Sequence, residues 1–92
     1  MSNLKLSVII PAYNEEKTII ETLKRIQITK KNKIEYEIIV INDGSRDNTS
    51  NLLKSNNELY DKLIEYENNL GKGFAVKKGI EASSGEYIIF QD

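Results

Sequence analysis

The chain has 92 residues and a formal net charge of -1, so it is at most one small domain with no global field to attract nucleic acid. It contains neither cysteine nor histidine, which excludes disulfides, thiolate catalysis, imidazole bases and zinc sites made from these residues. A metal ion held by this chain would have oxygen ligands, which favours Mg²⁺ or Mn²⁺. The lack of cysteine also fits a reducing compartment.

The first apolar run predicts a strand over residues 4–10 that ends at Pro11, because proline cannot donate to a strand ladder. A helix is predicted next, with Asn14 as its N-cap and two glutamates, Glu15 and Glu16, in its first turn. Apolar residues at helical spacing should form its buried face: Ile19, Ile20, Leu23 and Ile26.

A second strand is predicted over residues 37–41 and is broken by the turn signal Asp43-Gly44. Ser45 or Asp47 is expected to cap a second helix. The apolar stripe of that helix is Leu52 and Leu53, reaching to Leu59. A weaker third strand is predicted over residues 62–66.

The last two predicted elements are a helix over residues 71–82, stopped by a left-handed Gly85, and a strand over residues 86–90. The order β-α-β-α-β-α-β predicts an α/β fold: a Rossmann-like, mostly parallel sheet with helices on both faces. The apolar runs 8–10, 38–41 and 88–90 predict strands buried on both faces.

Right-handed crossovers place every strand-to-helix loop at the same edge of such a sheet. The loops 11–16, 42–47 and 68–73 and the terminal Asp92 should therefore converge on one crevice. In the first loop, Tyr13 offers an aromatic face for a base and Glu15 an acceptor for ribose hydroxyls or base N–H groups. Taken alone, that loop is better explained as a helix cap with a surface tyrosine.

Asp43 is the first residue after a buried strand and is an acceptor suited to the N–H edge of a nucleobase. A turn in which Asp43 caps the next helix is an equally good interpretation. Asp92 could hold a metal ion, although a single carboxylate makes a magnesium site only when substrate phosphates complete it.

The third loop contains Gly71 and Gly73, which allow backbone to approach a ligand, and Lys72, a point charge for a phosphate. It is not a Walker A loop, because Phe74 follows where serine or threonine is required, and Val76 occupies the third glycine position of the dinucleotide fingerprint. Alone, this loop is better explained as a flexible turn. Together, the loops provide an aromatic face, two carboxylates, an anion site and a carboxylate for a metal ion. These are the groups expected in a pocket that binds a nucleoside diphosphate.

These segments resemble the motifs of family 2 glycosyltransferases, which have the nucleotide-diphospho-sugar transferase (GT-A) fold. Residues 7–16, SVIIPAYNEE, resemble the family's opening motif, and INDGS at 41–45, followed by Asp47 and Thr49, resembles its second motif. The segments NLGKG at 69–73 and YIIFQD at 87–92 most resemble the polyprenyl-phosphate (dolichyl-phosphate) mannosyl- and glucosyltransferase branch.

The resemblance implies a nucleotide pocket lined by Pro11, Tyr13 and Glu15. It further implies that Ile41 and Asp43 hold the base, with Asp43 at its N–H edge.

Lys72 would lie near the base or the diphosphate. Asp92 would be the first aspartate of the family's Asp-X-Asp motif, which positions the ribose and a divalent metal, Mg²⁺ or Mn²⁺. The family usually has aspartate where this chain has Asn42, which keeps an acceptor but loses a charge and is not expected to abolish nucleotide binding.

The resemblance implies inverting, metal-dependent transfer from a UDP- or GDP-hexose to an acceptor such as a polyprenyl phosphate, in the cytoplasm and, for that acceptor, at the cytoplasmic face of a membrane. Residues 1–92 would be the N-terminal, nucleotide-sugar-binding part of the glycosyltransferase domain, ending at the first aspartate of Asp-X-Asp. The second aspartate, the acceptor-binding half and the general base are expected beyond Asp92. No catalytic residue is therefore assigned, and the isolated chain is expected to lack turnover.

Membrane contact is expected only peripherally or through later parts of the protein, and an uncovered fourth strand would favour self-association. One alternative is a non-catalytic module that binds a nucleotide or a partner protein. A receiver-like signalling domain is another, but it needs an acidic pair where Ala12-Tyr13 stand and an aspartate where Glu67-Asn68 stand.

Overall fold

The computed structural model describes residues 4–91 and contains four strands in one parallel sheet, in the order β3-β2-β1-β4. A short 3-10 helix, Asn57–Leu59, precedes β3. The main elements are β1 (Leu4–Ala12), α1 (Ile19–Thr29), β2 (Ile34–Asp43), α2 (Thr49–Ser55), β3 (Lys62–Tyr66), α3 (Lys72–Ala82) and β4 (Tyr87–Phe90). The predicted α/β order is confirmed.

The core has two layers because side chains of β1 and β2 alternate between the faces of the sheet. Val8 and Ile10 pack with Leu23 of α1 and Leu53 of α2 on one face. The other layer contains Ile9, Ile39 and Ile41 with Ala75 of α3. Helices therefore cover both faces, as predicted.

Helix α3 lies unusually close to the sheet at Gly79. A Cβ atom at this position would lie 2.5 Å from Cγ2 of Ile9 and 2.9 Å from Cδ1 of Ile41, so only glycine fits without a shift. This close packing fixes the distance between α3 and strands β1 and β2.

Strand β1 was predicted to end at Pro11, but it continues to Ala12. Strand β4 pairs with β1 only as far as Ile9, so beyond that residue β1 has β2 as its one strand neighbour among the described residues. The end of β1 is thus a sheet edge, where proline is tolerated.

Asn14 was predicted to cap α1, but the helix begins only at Ile19. Asn14 has a left-handed φ of 51°, and the backbone N–H groups of residues 14–16 donate to side chains of the 45–49 loop rather than opening a helix. The predicted apolar face is otherwise correct, since Ile19 and Leu23 are buried.

Helix α2 begins at Thr49 with Asn48 as its N-cap, so neither Ser45 nor Asp47 is the cap that was predicted. Asp47 lies one position earlier, where its Oδ1 accepts from the N–H of Thr49 at 2.9 Å. Although burial alone would raise the pKa of Asp47, hydrogen bonds from Thr49 and Glu16 lower it. Gly85 is not the left-handed stop that was predicted, because only Gly44 and Gly71 among the described glycines have positive φ. A Cβ at Gly85 would lie 2.6 Å from Ser7 Oγ, so Gly85 permits close approach instead.

Strand β4 is not buried on both faces, contrary to the prediction. All four of its residues are exposed, including Ile89 at 45% and Phe90 at 51%. The physical reason is its place at the edge of the sheet, with β1 as its strand neighbour on one side alone.

Within residues 4–91, no helix is long and apolar enough to cross a bilayer.

Candidate functional site

A pocket of about 310 Å³ lies at the carboxyl edge of the sheet. Its lining residues are Pro11, Ala12, Tyr13, Glu15, Asp43, Asn69, Gly71 and Lys72. The structure thus brings together five of the residues singled out from the sequence: Pro11, Tyr13, Glu15, Asp43 and Lys72.

Two other predicted site residues are not in this lining. Ile41 is fully buried in the core layer beneath α3, so its side chain supports the pocket from below. Asp92 lies outside the described residues.

The first loop is locked to the second by reciprocal hydrogen bonds at Asn14. The backbone N–H of Asn14 donates to Ser45 Oγ at 2.9 Å, and Asn14 Oδ1 accepts from the N–H of Arg46 at 2.8 Å. This exchange explains the left-handed backbone at Asn14, which asparagine tolerates better than most residues.

The same two loops are joined again at the next two positions. The N–H of Glu15 donates to Oγ1 of the fully buried Thr49 at 3.0 Å. The N–H of Glu16 donates to Asp47 Oδ2, and Glu16 Oε2 accepts from the N–H of Asn48, both at 3.3 Å. These bonds fix the backbone that carries Tyr13 and Glu15.

Tyr13 is 43% exposed at the pocket, which leaves its ring face available for stacking. Glu15 is exposed, and its Oε2 accepts from the Thr18 hydroxyl at 2.9 Å. Because a carboxylate has about four acceptor sites, Glu15 keeps capacity for a ligand hydroxyl.

Asp43 is only 3% exposed and holds the third loop. Its Oδ1 accepts from the N–H of Leu70 at 2.9 Å, and its Oδ2 accepts from the N–H of Gly71 at 3.0 Å and from Asn69 Nδ2 at 2.9 Å. The sequence left open whether Asp43 caps the helix that follows it. The structure shows a different role, since these bonds tie Asp43 to the loop before α3.

Glycine is required where the second and third loops meet. Gly44 has a φ of +66°, and a Cβ there would lie 2.3 Å from both the carbonyl carbon of Asn68 and the nitrogen of Asn69. Backbone of the third loop therefore rests directly on Gly44, beside Asp43.

Tyr66, at the end of β3, is a neighbour of Asp43 that sequence reasoning missed. Its ring meets that of Phe74 edge to face, with 5.4 Å between centroids. Its buried hydroxyl lies beside the Asp43 carboxylate without reaching hydrogen-bond geometry. Burial, and after it the proximity of Asp43, raise the pKa of Tyr66, so the phenol stays protonated beneath the pocket.

Asn42 points to the opposite face of β2 from Asp43, because successive strand residues alternate. Its Nδ2 donates to Glu65 Oε2 at 2.8 Å. Although burial alone would raise the pKa of Glu65, hydrogen bonds from Ser50 and Asn42 and the charge of Lys54 lower it. Asn42 is thus part of a contact with β3 and α2 outside the pocket lining.

The described residues do not fit a metal ion on their own. Within residues 4–91 there is no group of three or more carboxylates placed to hold one, and two Asp43 oxygens already accept from the third loop. The predicted metal ligand, Asp92, lies outside this part of the chain.

Asn69 and Thr49 were quoted in the sequence motifs but not predicted as site residues. Asn69 lines the pocket and anchors Asp43, while Thr49 holds the backbone of Glu15. Their polar character next to the glycine-rich and acidic loops was the available signal, but the sequence does not reveal which loop each one contacts.

The glycosyl transferase family 2 model matches residues 7–92. The chain belongs to this family. It is 39% identical over 102 aligned positions to the dolichyl-phosphate beta-glucosyltransferase of Dictyostelium discoideum, covering 100% of this chain and 31% of that protein. The chain thus spans about a third or less of the length of this curated relative.

Two solved structures show the same fold. TarS 1-349 of S. aureus in complex with UDP-GlcNAc superposes with a TM-score of 0.84 and 31% identity, covering 97% of this chain and 26% of that chain. The mannosyltransferase PcManGT of Pyrobaculum calidifontis, in complex with GDP-Man and Mn²⁺, gives a TM-score of 0.77 and 26% identity over 96% of this chain and 27% of that chain. The parallel sheet of this chain, with its helices, therefore matches part of a GT-A glycosyltransferase fold.

Proposed function

We propose that this chain binds the nucleoside diphosphate part of a UDP- or GDP-sugar in the pocket at the carboxyl edge of its sheet. One observation carries the proposal: in a family 2 chain, an exposed aromatic ring, two carboxylates and a lysine at a helix N-terminus line a single pocket of about 310 Å³. TarS and PcManGT, in complexes with UDP-GlcNAc and GDP-Man, support a donor of this class.

In this proposal the base stacks on Tyr13, and Asp43 and Glu15 accept from its N–H groups and from the ribose hydroxyls. Pro11 forms the rigid floor beside Tyr13, and Ile41 supports Asp43 from the core. Lys72 and the first turn of α3 would meet the negative charge of the diphosphate, since a helix N-terminus favours anions.

The proposed reaction of the whole protein is inverting transfer of a hexose to an acceptor. The name of the Dictyostelium relative supports a polyprenyl phosphate acceptor, and the Mn²⁺ complex of PcManGT supports a divalent cation, Mg²⁺ or Mn²⁺, with Asp92 as its ligand in this chain. Such a cation would neutralise the charge of the departing diphosphate. We assign no step through it to residues 4–91.

Residues 1–92 are proposed to be the N-terminal, donor-binding part of this glycosyltransferase domain, with turnover requiring groups that this part does not supply. A cytoplasmic site of action, at the membrane face where a polyprenyl phosphate headgroup is accessible, follows from the same proposal. Contact of residues 1–92 with that membrane would be peripheral.

Isothermal titration of the chain with UDP and with GDP, each with and without Mn²⁺, tests the proposal. Tyr13→Ala should weaken binding by about 1–3 kcal/mol, the usual contribution of base stacking on an aromatic side chain. Tyr87→Ala is the matched control, because Tyr87 is an exposed tyrosine on β4 outside the pocket lining. Absence of heat at millimolar nucleotide, with a folded chain, would contradict the proposal.

A further inference from the structure

We propose that Asn69 is a positioning residue for the diphosphate: with Asp43 it forms a clamp that holds the start of α3 and Lys72 at the pocket. This inference rests on the proposed function, because it concerns how the same pocket receives the charged part of a donor. We call the hydrogen bonds between Asp43 and residues 69–71 the Asp43–Asn69 clamp.

The clamp is built from one amide nitrogen that makes two bonds. Asn69 Nδ2 donates to Asp43 Oδ2 at 2.9 Å and to the Asp43 backbone oxygen at 3.1 Å. Both N–H groups of the amide are thereby directed to one residue, which fixes the orientation of the Asn69 side chain. Asn69 also lines the pocket, so this fixed amide is part of the ligand-facing surface.

The clamp holds the residues that begin α3. Gly71 is the N-cap of this helix, and its N–H is bonded to Asp43 Oδ2 at 3.0 Å, next to the N–H of Leu70 on Oδ1 at 2.9 Å. As a glycine, Gly71 has no side chain of its own with which to cap α3. The side-chain hydrogen bonds that link the helix start to the end of β2 run through Asp43 and its amide partner, in addition to the packing of Ala75 against Ile39 and Ile41.

The loop needs such an anchor because its own backbone supplies little restraint. Gly71 has a φ of +99°, and a Cβ there would meet nothing within 4 Å, so no neighbouring atoms confine the turn at this position. Glycine has more conformational freedom to lose than any other residue. Fixing the loop before a ligand arrives reduces the ordering cost of binding.

The consequence differs between the two halves of a nucleotide. The base side of the pocket is carried by the first loop, which is locked through Asn14 and Glu15 to the second loop, and by Asp43. Asp43 keeps the N–H groups of residues 70 and 71 on its two oxygens when Asn69 is lost. The phosphate side is carried by Gly71 and Lys72, which depend on the clamp. Loss of Asn69 should therefore weaken binding of a nucleoside diphosphate and spare the nucleoside.

Titration of Asn69→Ala with UDP and uridine, and in parallel with GDP and guanosine, tests the clamp. We expect a roughly threefold to tenfold loss of diphosphate affinity, the effect of one or two hydrogen bonds, with nucleoside affinity within about twofold of the wild type. Asn68→Ala is the matched control, since the Asn68 side chain makes no hydrogen bond to the described residues, and it should bind both ligands as the wild type does.

Two further measurements separate positioning from general loss of structure. Amide hydrogen exchange at Leu70 and Gly71 should accelerate in unliganded Asn69→Ala, while exchange at the buried Ile39 and Ile41 stays unchanged. Asn69→Asp keeps the side-chain size but sets a carboxylate against Asp43, so it should lose more diphosphate affinity than Asn69→Ala.

Failure of the wild-type chain to bind UDP or GDP would overturn the proposed function and the clamp together. Normal wild-type binding combined with unchanged diphosphate affinity in Asn69→Ala would overturn the clamp alone. An equal loss for nucleoside and diphosphate would also overturn it, because Asn69 would then act on the base.

Discussion

Asn42 and Asp43 are neighbours in β2 and are each only 3% exposed, but their side chains make contacts on opposite faces of the strand. Asp43 binds the third loop, whereas Asn42 donates to Glu65 on β3. The contact with Glu65 explains why an amide suits position 42 of this chain. An aspartate here would place two carboxylates within hydrogen-bond distance.

Asn42→Asp should therefore destabilise the chain at neutral pH by about 1–3 kcal/mol, because a buried donor is replaced by a like charge. The loss should be smaller at acid pH, where one of the two carboxyls is protonated. Urea denaturation of Asn42→Asp, Glu65→Gln and the double variant checks this. Recovery of stability in the double variant is expected, and a strictly additive loss would contradict the contact as described.

At this scale the sequence predicted which residues gather at the pocket but not how they bond. Pro11, Tyr13, Glu15 and Asp43 follow strands, and parallel topology brings such residues to one edge. The partners of Asp43 are decided by where the third loop lies on Gly44, a contact between residues far apart in the chain. Local patterns do not contain that information.

At the scale of elements, the amino end of the sheet is held by a polar network centred on Glu37 of β2. Its Oε1 accepts from Ser7 Oγ at 2.9 Å and from the Ser84 N–H at 2.8 Å, and its Oε2 pairs with Lys62 Nζ at 3.2 Å. Strands β1, β2 and β3 and the turn before β4 thus meet at one carboxylate. Burial alone would raise the pKa of Glu37, but hydrogen bonds from Ser84, Ser7 and Lys62 lower it to about 2.

This network predicts a pH dependence of stability. The pKa of Glu37 in the folded chain, about 2, lies below its ordinary value of 4.5, so the unfolded chain binds more protons between these values. The stabilisation, on the order of 3 kcal/mol, is complete above pH 4.5 and is lost as pH falls toward 2.

Glu37→Gln should lower the free energy of unfolding at pH 7 and reduce its slope between pH 4.5 and 2. Urea denaturation at a series of pH values measures both effects. The exposed Glu35→Gln variant is the control, since Glu35 lies in the same strand. Equal acid slopes in Glu37→Gln and the wild type would contradict the role given to Glu37.

The number, order and type of the elements could be predicted because apolar periodicity is a local property of the sequence. Both ends of β3 and the last residue of α3 were also predicted correctly, but the start of α1 was not, because contacts between loops decide it. Helix α1 starts at Ile19, after residues whose N–H groups are used by the second loop. The run Ile88-Ile89-Phe90 has the apolar pattern of a buried strand but lies at the sheet edge.

At the scale of the whole molecule, β4 is the feature most open to new contacts. It presents apolar side chains on both faces, with Tyr87 at 60% and Phe90 at 51% exposed, and one edge of its backbone has no strand neighbour among the described residues. A net charge of -1 gives little repulsion between copies. We propose that the 92-residue chain self-associates through this strand.

Ile89→Lys should shift the chain toward monomer, because a charge on an edge strand opposes strand pairing. Ile28→Lys is the matched control, since Ile28 is 82% exposed and lies on helix α1 rather than on a strand. Sedimentation velocity over a concentration series measures the effect. A wild-type chain that stays monomeric at high concentration would contradict the proposed association.

The most direct test of the proposed site is NMR titration of the ¹⁵N-labelled chain with UDP or GDP. The measured quantity is the chemical-shift change of each backbone amide. The pocket predicts the largest shift changes at Tyr13, Glu15, Asp43, Gly71 and Lys72, with none at the distant Ser7, Glu37 and Ser84. Absence of shifts at millimolar nucleotide, or shifts centred on Asn42 and Glu65 across β2, would contradict it.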